Sequence, residues 1–130
     1  MAVSKLNKGF IETIHSNYTD FFTPESGVTV VNCVVRQLDN NVFTLRLNVD
    51  LTTPIPAHSS ARIGTMDYSY FGKNTIGGMI TTIVQNTGIS DGDNRLGIIL
   101  PGSNGSVNLY NTSDIAINRC KNTNGVCFST

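Results

Sequence analysis

From Val28 onward the hydrophobic positions recur at every second residue. Between Val42 and Leu51 the alternation is clean, with Phe43, Leu45, Leu47, Val49 and Leu51 on one face and Thr44, Arg46, Asn48 and Asp50 on the other. Successive side chains of a strand point to opposite sides of a sheet, so this segment predicts a strand with one buried and one wet face. The preceding stretch, Val28 to Arg36, is rich in β-branched residues, and Leu38 to Asn41 supplies a turn, which together predict an antiparallel hairpin. Pro54 and Pro56 are expected to end its second strand, because proline cannot donate to the ladder. Shorter strands are predicted at Ala61 to Met66, Thr75 to Gln85, Leu96 to Leu100, Ser106 to Leu109, Ile115 to Arg119 and Val126 to Ser129, with Gly, Asn, Asp and Pro clusters between them. Gly77 and Gly78 predict a bulge or kink inside the Thr75 to Gln85 strand.

About eight short strands separated by turn signals predict an all-β fold, an antiparallel β-sandwich or jelly roll. It occupies residues 28–130 as a single domain. Residues 1–27 are expected to form an N-terminal arm or short helix packed on that domain. Leu6, Phe10, Ile11 and Ile14 fit one face of a helix over Ser4 to Tyr18, while Gly9 and the polar residues that follow fit an extended arm equally well. Val28 to Val35 is apolar on both faces, Val28, Val30 and Val34 against Val31, Cys33 and Val35. A strand apolar on both sides asks for a second cover, and a homotrimer with this strand or the Thr75 to Gln85 strand at the interface is expected.

Composition changes the picture at one point. The 130 residues carry nine basic and nine acidic side chains, a formal charge of zero, and only 14% are charged against about 25% in ordinary domains. Polarity comes instead from Asn, Thr and Ser, which fill 41 positions. No basic stripe is available for phosphate backbones, so nucleic-acid binding is not expected. No apolar run reaches bilayer length and Met1 to Phe10 has no signal-peptide pattern, so neither membrane insertion nor secretion by a signal peptide is expected. Near-zero charge removes the self-repulsion that keeps chains apart and suits a subunit of an assembly.

The residues offer little catalytic or metal chemistry. There is no nucleophile elbow, Gly72-Lys73 lacks the rest of a phosphate loop, and His15 and His58 stand apart from the cysteines. Asp91 and Asp93 have calcium-like spacing, but Arg95 falls where a third ligand would belong, and a solvated turn is expected. Cys33, Cys120 and Cys127 are expected to be free thiols, although Cys120 and Cys127 flank a turn-like run that would let them pair if oxidised. The chain is therefore read as a non-enzyme with no metal and no cofactor.

One stretch is unusual. Tyr68, Tyr70 and Phe71, three of the ten aromatic residues, lie beside Asp67 and shortly before Asn74 in a connection between two strands. Sugars offer apolar C–H faces and outward hydroxyls, so aromatic rings beside a carboxylate and an amide suit a saccharide site. Asp67, Tyr68, Tyr70, Phe71 and Asn74 are therefore the candidate ligand-binding residues. The competing reading places Tyr68 and Tyr70 against a core or subunit contact, with Phe71 plugging the end of the sandwich.

The order of elements resembles the small C-terminal β-sandwich head domains of bacteriophage tail-fibre and baseplate receptor-binding proteins. The matching stretches are Val42 to Val49, Pro54 to Pro56, Arg62 to Met66 with Tyr68 and Tyr70, Leu96 to Leu100, and Gly105 to Tyr110. Two departures stand out: Met66 is followed by Asp67, not by the usual proline, and no proline follows Tyr68 or Tyr70. The resemblance implies a trimeric head on the virion, made in the host cytoplasm, that works with other tail or baseplate proteins and attaches to a host cell-surface saccharide or protein. A structural trimerisation or capping module without a ligand, and a jelly-roll lectin of cellular origin, are the alternatives.

Overall fold

A computed structural model of the chain describes residues 12–86, 95–102, 104–122 and 125–129. Eleven strands are present among them: β1 Thr13–His15, β2 Phe22–Pro24, β3 Val28–Asp39, β4 Val42–Ile55, β5 Ser60–Met66, β6 Ile76–Gly77, β7 Ile80–Gln85, β8 Arg95–Pro101, β9 Ser106–Asn111, β10 Ile117–Lys121 and β11 Gly125–Ser129. Every pairing is antiparallel. The main path runs β1-β3-β4-β10-β7-β8-β9-β5-β2, while β11 joins β4 to β6. The path wraps around one core, in which Phe43, Leu45, Leu47 and Val49 of β4 meet Ile63 of β5, Ile99 of β8 and Val107 and Leu109 of β9. The all-β sandwich expectation holds, with the Thr75 to Gln85 segment divided by Gly78 and Met79 into β6 and β7.

The β4 alternation is realised as read, since Phe43, Leu45, Leu47, Val49 and Leu51 are all buried. Burying a side chain of this size stabilises the fold by about 1.5–3 kcal/mol. The strand does not stop at Leu51, however; it runs through Pro54 to Ile55. Proline is tolerated there because β4 has an irregularity against β10, where the register jumps between Asp50 opposite Arg119 and Ile55 opposite Ile117.

The two-sided apolar strand also has a different explanation from the one expected. In β3, Val30 pairs with Val49 and Asn32 with Asn48, so Val31 is an inserted bulge residue. A bulge of one residue reverses the inward and outward phase of the strand. Cys33 and Val35 thereby join the core, with Val28 and Val30 packed against it, and only Val31, 63% exposed, and the half-buried Val34 are left out of that set. One core thus uses four of the six positions that had called for a second cover.

Near the N-terminus the described residues form two short strands joined through a 3₁₀ turn, Tyr18–Asp20. Strand β1 pairs with β3, with His15 opposite Val35, and β2 pairs with β5, with Phe22 opposite Met66. Residues 4–11 of the candidate helix, together with Asp91 and Asp93, lie outside the described residues.

Candidate functional site

The connection between β5 and β6 is a short 3₁₀ turn, Tyr68–Phe71. Asp67 starts it: its Oδ1 accepts from the Ser69 backbone N–H at 3.1 Å and from the Ser69 hydroxyl, which satisfies donors the turn leaves open. Gly72 ends it at φ +71, a left-handed conformation that glycine adopts without strain. A 3₁₀ turn has three residues per turn, so side chains three apart share a side. Tyr68 and Phe71 accordingly both turn inward and are buried, and Tyr70 is left 42% exposed.

This spacing divides the candidate residues between two places. Asp67, Tyr68 and Asn74 line an open cleft of about 570 Å³, together with Thr23, Thr65, Ser69, Lys73 and Asn104. Tyr70 and Phe71 belong instead to an aromatic cluster with His15 and Phe21, where Phe71 also meets Phe43 at 5.6 Å. The stacking platform expected from three neighbouring rings is not assembled, because two of them are core side chains. Of the competing reading, Tyr68 and Phe71 are buried, while Tyr70 packs one side of its ring on Phe21 and Phe71 and keeps the rest exposed.

Within the cleft the polar groups are well held. Tyr68 donates its hydroxyl to the Gly102 carbonyl, and burial pushes that phenol up to about 12. Lys73 Nζ donates to Asn41 Oδ1 at 3.1 Å and Asn40 Oδ1 at 3.4 Å, tying the cleft to the β3–β4 turn. Asn104 Oδ1 accepts from the Ser106 N–H at 3.1 Å, and the Gly105 carbonyl accepts from the Met66 N–H at 2.7 Å. Gly105 sits at φ +86, and a Cβ there would lie 2.4 Å from the Met66 carbonyl, so only glycine fits this wall. The cleft can exchange hydrogen bonds through a carboxylate, amides and hydroxyls, but it presents no open ring face.

The place of His15 in this region was not legible beforehand, because β1 is too short to show a period. The strand pairing sets His15 against Tyr70 at 5.3 Å and Phe71 at 5.1 Å between ring centroids. Its Nδ1 lies 3.4 Å from the Tyr70 hydroxyl, Nε2 is buried with no hydrogen-bond partner among the described residues, and burial lowers its pKa. Among the described residues no three His, Cys, Asp or Glu side chains converge on a common point. Cys33, Cys120 and Cys127 are buried free thiols, and burial raises their pKa values to about 12, 12 and 11. Cys120 lies opposite Val49 and Cys127 opposite Phe43 on β4, which puts the two roughly 20 Å apart at ~3.4 Å per residue, far beyond disulfide reach.

No protein-family model matches the sequence, and no curated protein matches it. Among solved structures the chain is similar to the head domain of the lactococcal phage bIL170, with a TM-score of 0.57 at 18% identity over 91% of this chain and 94% of that one. The likeness is one of fold, and it spans nearly the whole of both chains.

Proposed function

We propose that the chain is the receptor-binding head of a bacteriophage tail fibre or baseplate, which trimerises and attaches the virion to a host cell-surface glycan or protein. The observation that carries this reading is the fold shared with the bIL170 head domain, which is described among receptor-binding domains of lactococcal phages. The likeness takes in almost the complete length of both chains, so it concerns the domain as a unit and not one common hairpin. The surface chemistry fits: a neutral chain rich in Asn, Ser and Thr engages partners through short-range hydrogen bonds, not through a long-range field. The Asp67 cleft, with Asn74, Lys73 and Asn104, is a place where such bonds can form.

In this reading the domain works as a non-enzymatic subunit. Its trimer contact is assigned to the outer side of β3 or β7, where Val31 and Ile83 stand exposed. A second reading, a capping module without a ligand, is favoured by the burial of Tyr68 and Phe71. A glycan array probed with the full chain separates the two. Saturable binding that Asp67→Asn weakens without lowering the melting temperature supports attachment through this cleft. An array with no bound glycan, together with a stable trimer, supports the capping module.

A further inference from the structure

At the other end of the β5–β9 ladder, where Ser60 pairs with Tyr110, lies a second open cleft of about 540 Å³. It is lined by His58, Ser59, Ser60, Tyr110 and Thr112. Tyr110 is 39% exposed; in the ladder it stands between Ser60 of β5, too small to cover the ring from that side, and Ile98 of β8. His58 Nε2 lies 2.8 Å from Asp114 Oδ1, with side chains 63% and 94% exposed. A pair this exposed contributes little to stability. Yet His58 is the one non-glycine among the described residues with a positive φ, +55. An unusual backbone conformation that stability does not explain points toward a role in binding.

The frame beneath the cleft is rigid. Asn111 is 2% exposed, and its Nδ2 donates to the carbonyls of Ile55 and Pro56 at 3.0 Å and of Ile115 at 2.8 Å. Its Oδ1 accepts from the Ser113 N–H at 3.0 Å, and its own N–H donates to the Ser59 carbonyl at 2.8 Å. One buried amide thus locks the loop carrying His58 to the loop carrying Asp114. Such a site loses little freedom when it binds. It also holds what the Asp67 cleft lacks, an exposed aromatic ring beside hydroxyls, with the Asp114 carboxylate set at its edge by His58.

We propose that this cleft is a saccharide subsite that takes one pyranose unit of a cell-surface glycan. The apolar C–H face of the sugar packs on Tyr110, and two neighbouring sugar hydroxyls donate to Asp114, which His58 holds in place. The assignment rests on the attachment reading above and adds the ligand class and the residues. The test is an amide NMR titration of the full chain with methyl glucopyranoside, methyl galactopyranoside, methyl rhamnopyranoside and N-acetylglucosamine. At least one of these sugars is expected to shift amides in 58–60 and 110–114. Tyr110→Ala and Asp114→Ala are expected to weaken that sugar at least about tenfold, a loss of one hot-spot contact, whereas Tyr110→Phe, which keeps the ring, retains most of the affinity. Asp114 is almost fully exposed, so its variant reports on binding even if Tyr110→Ala does not fold. Sugar-induced shifts confined to Asp67, Asn74 and their neighbours would overturn the Tyr110 site and leave saccharide recognition standing. No shift with any of the four sugars would overturn both.

Discussion

Asn122 shows how much one side chain can carry. Strands β10 and β11 both pair with β4 but at different places, Asn48 to Ile55 and Val42 to Leu45, so the ladder has a gap between them. Asn122 fills the gap: its Oδ1 accepts from the Leu47 N–H and its Nδ2 donates to the Leu45 carbonyl at 2.8 Å. Asn122→Ala would leave the Leu47 N–H buried and unpaired and take one bond from the Leu45 carbonyl, at a cost of about 2 kcal/mol and roughly 7 °C in Tm; thermal unfolding measures it. His15 gives a pH-dependent counterpart. Burial lowers its pKa below the ordinary 6.5, so the unfolded chain takes up the proton first. The neutral ring's contribution is fully present above pH 6.5 and is lost as pH falls from there toward the lowered value. His15→Phe, which keeps a ring in the cluster, is expected to flatten the fall in stability below pH 6.5, as measured by denaturant unfolding across pH. Neither role could be read from sequence. Asn122 looks like part of a turn, and His15 acquires its neighbours only through strand pairing.

At the level of elements, legibility followed length. The ten residues from Val42 to Leu51 alternate long enough to fix a face, and all five inward positions are buried. Strands β1 and β2 have three residues each, too few to show a period. A bulge is harder still, because the extra Val31 leaves the composition of β3 unchanged and reverses only its phase. The candidate site suffered in the same way, since reading Tyr68 to Phe71 with a strand's period of two pairs different rings from a 3₁₀ turn's period of three. The turn makes a separable prediction. Phe71→Ala, in the core, should cost about 3 kcal/mol, whereas Tyr70→Ala at the rim should cost less than about 1 kcal/mol. Equal losses in chemical denaturation would contradict the assigned facing.

At the scale of the molecule, zero net charge and a surface of small polar side chains agree with a subunit of a larger particle. The phase change in β3 removes part of the original reason for a trimer, since most of its valines serve the chain's own core. What remains is the exposed Val31 and Ile83 on the outer sheet face. Sedimentation at micromolar concentration is expected to give a trimer, with Val31→Lys or Ile83→Lys shifting it toward monomer; a monomeric parent chain would remove the trimer. The fold was legible because patterning dictates it. The candidate clefts were not, because each is built by side chains from segments far apart in the chain, as with His58 and Tyr110.

The most direct test of the attachment role is binding of the labelled full chain to a glycan array and to intact bacterial cells, with soluble glycan as competitor. Saturable binding to a defined saccharide that the same soluble saccharide displaces is the expected result. A folded chain that binds neither glycans nor any cell surface would contradict the account.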